Sequence, residues 1–101
     1  MNQSAGEKTW FLYLIRCNNG RLYTGISTDV QRRLAEHEAG KGAKFLRGKG
    51  PLAVVFQQPA GSRSEALKAE AALKKLSRTD KEAVVQTGRF LTPLLQAGPE
   101  A

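Results

Sequence analysis

The 101-residue chain has one cysteine, Cys17, and one histidine, His37. A single thiol excludes an internal disulfide, and with only one imidazole beside it there is no Cys/His cluster of the kind that holds structural zinc. Any metal is therefore a hard ion held by oxygen. The longest uninterrupted apolar run, around Trp10 to Ile15, is far shorter than the roughly 20 residues that span a bilayer, and no secretory pattern opens the chain. A soluble, cytoplasmic protein without a membrane partner is expected. The glycine-rich stretches lack the GK[ST] ending and strand-to-helix setting of a phosphate-binding NTPase loop, so nucleotide hydrolysis has no support.

Acidic residues are also scarce, 9 against 16 Lys and Arg, for a formal charge of +7. Such a surface attracts polyanions, because each cation placed on a phosphate releases condensed counterions. Nucleic acid, DNA ahead of RNA, leads the partner classes. The plainer alternative is a charge that merely keeps a small domain soluble, so motifs must decide. With 41% apolar residues the chain suffices for one domain with one modest core.

Residues Met1 to Lys8 are polar and without periodicity, which suits a disordered N-terminus ahead of a domain over 9–88. A C-terminal tail over 89–101 contains Pro93 and Pro99 and offers Leu91, Leu94 and Leu95 for packing. From Trp10 to Cys17 the chain is apolar on both alternating faces, Asn18-Asn19-Gly20 supplies turn residues, and Leu22 to Ser27 resumes an extended pattern, which together read as a β-hairpin. A three-residue loop with Gly20 left-handed pairs Ile15 with Tyr23 and Tyr13 with Gly25, so both tyrosines share a face. A two-residue Asn19-Gly20 loop would separate them.

A hydroxyl residue followed three positions later by Glu or Gln marks three candidate helix starts, Thr28/Gln31, Ser62/Glu65 and Thr79/Glu82. The first helix should stop at Gly40, the second should run from about Arg63 to Leu76, and the third should stop near Gly88. Leu52 to Gln57, bounded by Gly50-Pro51 and Pro59, has the profile of a third strand. The order is ββαβαα, an α+β fold.

On the second helix, 100° per residue places Glu70 inside the apolar stripe of Ala66, Ala69, Leu73 and Leu76. A carboxylate facing a core is costly unless paired, hydrogen-bonded or bound to metal; the alternative is an ordinary edge position with a salt bridge to Lys74. On the first helix, Arg33 and His37 flank the stripe of Val30 and Leu34 on one side. Such a pair can present a phosphate clamp, although a lone helical histidine more often packs. The segment from Gly40 to Gly50 mixes glycines with Lys41, Lys44, Arg47, Lys49 and Phe45, which suits a loop tracking a nucleic-acid backbone. Alternatively it is a solvated connector with Phe45 and Leu46 tucked into the core.

Phe11-Leu12-Tyr13, Tyr23-Thr24-Gly25, Arg33 on the next helix and Glu70 on the one after resemble, in order, the GIY-YIG nuclease superfamily. The resemblance runs from about Thr9 to about Val85, and the wording LYTGISTDVQRRLAEH is similar to that of small stand-alone bacterial members. It implies a three-stranded antiparallel sheet flanked by helices and a phosphodiesterase reaction using one divalent ion, Mg²⁺ or Mn²⁺. It further implies that Tyr23 deprotonates or orients the attacking water with Tyr13 in support, and that Gly25 lets the sheet approach the substrate backbone. Arg33 would stabilise charge in the transition state, His37 would sit where relatives carry His or Tyr, and Glu70 would be the metal ligand. A phenol acting as base needs its pKa drawn below the usual value near 10, which a metal or Arg33 can supply.

Two departures bear on activity: FLY replaces GIY, and Ile26 stands where repair-nuclease relatives carry a lysine. Three functions follow. The first is a metal-dependent DNA endonuclease of repair or processing. The second is a non-catalytic nucleic-acid-binding module, and the third is a structural partner docking through the tail.

Overall fold

The computed structural model describes residues 8–90; the expectations for the N-terminal segment up to residue 7 and for the tail from residue 91, with Leu91, Leu94 and Leu95, lie outside the described residues. Strands β1 (Trp10–Arg16), β2 (Leu22–Ser27) and β3 (Ala53–Gly61) and helices α1 (Val30–Glu38), α2 (Arg63–Lys74) and α3 (Arg78–Thr87) follow the order ββαβαα. The sheet is antiparallel throughout in the order β2-β1-β3, leaving β2 and β3 as edges. The expected α+β fold is the observed one, with an added 3₁₀ turn at Lys44–Leu46.

The hairpin takes the three-residue loop. Gly20 has φ 86° and donates its N–H to the Cys17 carbonyl, a left-handed position at which glycine carries no steric cost. Ile15 consequently faces Tyr23 and Tyr13 faces Gly25. Because side chains alternate, this register sorts two cores. Leu12 and Leu14, with Leu22 and Ile26, pack on one face against Ala69 and Leu73 of α2 and Val84 of α3. Tyr13 and Ile15, with Tyr23, pack on the other against Val30 and Leu34 of α1 and against Leu46 and Leu52.

Two of the three expected caps move. Asp29, not Thr28, caps α1 by accepting from the Arg32 N–H, and Ser77, not Thr79, caps α3 by accepting from Asp80. The true caps lie one residue after Thr28 and two residues before Thr79, each in an equally polar stretch where spacing alone does not choose. Glu82 is drawn elsewhere: both its oxygens accept from Arg16 of β1 at 2.7 Å, a bidentate geometry that a guanidinium matches well. Arg78 extends this clamp, donating to the Gly20 carbonyl at 3.0 Å. The Ser62/Glu65 box is present with both of its bonds.

The third strand is longer than expected because Pro59 lies within it, opposite Phe11. A proline lacks an N–H and is tolerated here because β3 is an edge strand. Gln58 then ties in the end of α3's exit: its amide accepts from the Phe90 N–H and donates to the Phe90 carbonyl, both at 2.8 Å.

Behind α1 the chain is held by His37, which is 2% exposed. Its Nδ1 accepts from the Ala43 N–H at 3.2 Å, an approach possible only because residue 42 is glycine. An added Cβ there would stand 2.0 Å from Nδ1.

Two stability predictions follow from these contacts. Alanine at Gly25 would place its Cβ 2.5 Å from the Tyr13 ring and hydroxyl, so Gly25→Ala should destabilise by about 1–3 kcal/mol in urea unfolding, against ±0.5 kcal/mol or so for Lys68→Ala at an exposed site. Burial, then the Arg33 charge, lowers the His37 pKa, with Glu36 opposing. The unfolded chain therefore takes up this proton first as pH falls below about 6.5. The stability that His37 contributes is complete above that value and is lost as pH falls through the lower folded value. Urea midpoints should decline over this window in the wild type, and His37→Gln should flatten the decline.

Candidate active site

Three rings meet on the α1 face of the hairpin. The Tyr13 hydroxyl lies 3.2 Å from His37 Nε2. The Tyr23 and His37 rings pack edge to face with centroids 5.6 Å apart, a favourable arrangement for aromatic quadrupoles. The direction of the hydrogen bond follows from the other side of the imidazole. Nδ1 accepts from Ala43, so in the neutral ring the proton is on Nε2 and is donated to Tyr13. The Tyr13 oxygen is thereby an acceptor towards His37 and keeps its own O–H to donate. Tyr13 is 2% exposed, and its pKa is pushed up to about 12, first by burial and then by Tyr23, with Arg33 opposing and Glu70 adding to the rise. It is a hydrogen-bond donor at physiological pH and not a phenolate.

Gly25, expected to let substrate approach the sheet, has a packing reason in the structure: the Tyr13 phenol occupies the space where a Cβ would be. Tyr23 is backed on its other flank by Phe45, stacked with centroids 5.9 Å apart and planes 23° from parallel. Phe45 is not tucked into the core. It is 37% exposed while Leu46 beside it is buried, and the Lys49 ammonium sits 5.0 Å from its ring centre. The rest of the expected cationic segment, Lys41, Lys44 and Arg47, is exposed.

Arg33 stands one helical turn before His37. Its Nη1 donates to Glu36 at 2.9 Å, a pairing that holds the guanidinium charge firmly. Glu36 was absent from the sequence reading, although its spacing of three and four from Arg33 and Arg32 was visible there. Arg33 also lies within hydrogen-bonding reach of the Tyr13 hydroxyl, and it borders a groove of about 370 Å³ between α1 and α2. Trp10, Ile26, Arg63 and Leu67 form its other wall, with the Arg63 guanidinium 5.7 Å from the Trp10 ring centre.

Glu70 arrives from the opposite face of the sheet, on α2. Its side chain is 18% exposed and lies 3.5 Å from Lys74, so the stripe position and the lysine pairing expected as alternatives occur together. The two faces meet electrostatically, since the Glu70 charge acts on the Tyr13 hydroxyl. Among the described residues there is no group of three or more His, Cys, Asp or Glu side chains that could hold a metal. A lone, mostly buried carboxylate with one exposed lysine on it fits a hard ion that keeps most of its water, as Mg²⁺ does.

The structure thus gathers Tyr13, Tyr23 and His37 in direct contact, sets Arg33 beside them and brings Glu70 within electrostatic reach. The GIY-YIG catalytic domain model matches residues 9–83. A UPF0213 protein of Cronobacter sakazakii is 57% identical over 91 residues, covering 90% of this chain and 95% of the relative. UPF0213 protein YhbQ of Escherichia coli is 53% identical over 88 residues, 87% and 88% of the two chains. Among solved structures, the UPF0213 protein of Bacillus halodurans superposes with a TM-score of 0.52 at 37% identity, covering 92% and 97%. A protein of E. faecalis gives 0.57 at 40% identity, covering 83% and 90%. With both tyrosine motifs joined across one ladder, and arginine and glutamate on the following helices, the chain belongs to the GIY-YIG family, a family of nucleases.

Proposed function

We propose that the protein is a metal-dependent endonuclease that hydrolyses phosphodiester bonds of DNA in repair or processing. The observation that carries this reading is the hydrogen-bonded Tyr13–His37 pair packed against Tyr23, with a guanidinium beside it and one mostly buried carboxylate across the sheet. Hydrolysis needs an oriented water, neutralisation of the phosphorane-like charge and help for the leaving oxygen. Tyr23 orients the water, whose oxygen bonds to phosphorus as the bond from phosphorus to the leaving oxygen breaks; the phenol takes the water's proton while its own O–H proton passes through solvent to the departing oxygen. Tyr13, fixed by His37 and protonated up to about 12, donates a hydrogen bond at the reacting phosphate. Arg33 turns from Glu36 to the phosphate oxygens, where two parallel N–H donors hold the developing charge.

Glu70 would hold the single Mg²⁺ or Mn²⁺ ion, displacing Lys74. The bound ion supplies charge neutralisation and a polarised water for the departing oxygen. Lys41, Lys44, Arg47 and Lys49 bind the flanking backbone. The second reading, a non-catalytic nucleic-acid-binding module, is favoured by Ile26, an apolar wall in the groove beside Arg33.

Labelled single-stranded, duplex and branched DNAs, incubated with and without Mg²⁺ or Mn²⁺, should be cut only with metal. Glu70→Ala and Arg33→Ala should each lose roughly 10²- to 10³-fold in rate while still binding DNA. Binding without cutting by the wild type would establish the non-catalytic module. Tyr13→Phe should lower the rate yet leave the pH–rate profile in place up to about pH 10, since Tyr13 titrates only near 12. A profile whose alkaline limb moves in this variant would assign the titrating phenol to Tyr13 and overturn its role as a neutral donor.

A further inference from the structure

A second groove, of about 270 Å³, opens at the other end of β2, lined by Arg21, Leu22, Phe45, Arg78 and Lys81. Nothing in the proposed chemistry uses it. It carries three cations and no acid on its walls, and neither Arg21 nor Lys81 has an acidic partner within 4.0 Å among the described residues. Arg78 is pinned in place by its bonds to the Gly20 carbonyl and Glu82, so its guanidinium needs little further ordering to meet a ligand. Phe45 joins this groove to the candidate active site, because its ring lines the groove and stacks on Tyr23.

Position along β2 relates the two grooves. Leu22 lines this one, and Ile26 and Ser27 line the groove that contains Arg33. Each draws walls from both faces of the sheet: α3 and the Phe45 turn here, α2 and α1 there. Both therefore open on the unpaired edge of β2, with Tyr23 between them. Four residue steps of strand separate Leu22 from Ile26, about 14 Å, which is roughly four nucleotide steps at the duplex rise of about 3.4 Å per strand.

We infer that the Arg21–Arg78–Lys81 groove is a distal phosphate-binding subsite, which holds the flanking backbone of the same nucleic-acid strand whose scissile phosphate lies at Arg33. The strand follows the free edge of β2, and Phe45 forms the apolar wall against the sugars. This placement rests on the proposed nuclease reading for the identity of the ligand, but its geometry belongs to a surface outside the catalytic residues.

The test uses the full chain and its Arg21→Ala/Lys81→Ala variant, with a labelled single-stranded oligonucleotide of about a dozen nucleotides, a length within the usual site sizes of single-strand binders. Binding is followed by anisotropy in EDTA over a salt series, and cleavage is followed with Mg²⁺ or Mn²⁺. The inference expects weaker binding with a log–log salt slope shallower by about 1.4, two lost contacts at about 0.7 each on a single strand. It further expects a raised KM with kcat kept within about twofold, the signature of lost uniform binding. Equal slopes and equal KM in the two proteins would overturn the subsite while leaving the nuclease reading intact. Absence of cleavage together with the expected change of slope would retain the subsite and overturn the nuclease reading. Circular dichroism spectra and urea midpoints matching the wild type would confirm that the variant is folded. If they do not match, Arg21→Gln/Lys81→Gln in the same assay decides by the same slope criterion.

Discussion

A phenol laid across a glycine organises this molecule. Tyr13 and Gly25 are opposed in the β1–β2 ladder, and the ring fills the volume that any other residue at 25 would claim for its Cβ. The pairing depends on the hairpin register, which depends in turn on the left-handed Gly20 and a loop of three residues. Slipping the register by one would send Tyr23 to the opposite face. It would also replace the glycine beneath Tyr13 with Thr24 or Ile26, neither of which leaves room for the ring. Once the ring lies flat across Gly25, its hydroxyl reaches His37 of α1, and the sheet, the first helix and the loop behind it become one polar unit.

His37 links stability to chemistry within that unit. It accepts from the Ala43 N–H and donates to Tyr13, so both ring nitrogens are used and the neutral form alone satisfies both bonds. Protonation at Nδ1 would turn an acceptor into a donor facing an N–H, at a site where burial and Arg33 already oppose charge. The imidazole consequently fixes the direction in which the Tyr13 proton points.

Much of this was legible in the chain. The turn residues Asn18, Asn19 and Gly20 with alternation on either side determine a hairpin, and the two tyrosines then fall on one face by arithmetic alone. Glu70 stood out because its place in the stripe of Ala66, Ala69 and Leu73 conflicts with its charge, and the structure leaves it largely covered. What stayed hidden depends on contacts distant in sequence. Glu82 fitted a local capping pattern, but a bidentate partner 66 residues away outcompetes a cap available equally from Ser77. Gly42 had no local signature, since its reason is the approach of a loop to an imidazole on the helix before it. Phe45 looked like a core residue by hydrophobicity and became a wall against Tyr23, because Leu46 takes the buried position in the tight 3₁₀ turn.

The free edge of β2 explains why cations gather where they do. An exposed edge strand offers unpaired N–H and C=O groups to any other chain, and proteins blunt such edges with charge. Here Arg21, Arg78 and Lys81 stand at one end of β2, and Arg32, Arg33 and Arg63 stand at the other. Charge at an edge disfavours the addition of a second strand, and a surface of this sign suits a polyanion. Glu36 is the single acid in these walls, and it accepts from Arg33 at 2.9 Å. On the proposed reading an incoming phosphate would replace Glu36 as the partner of Arg33, and the ion pair would serve as a placeholder that the substrate exchanges for its own oxygens. Among the described residues, the unpaired edge of β2 is thus a surface on which charge, open backbone and Tyr23 coincide.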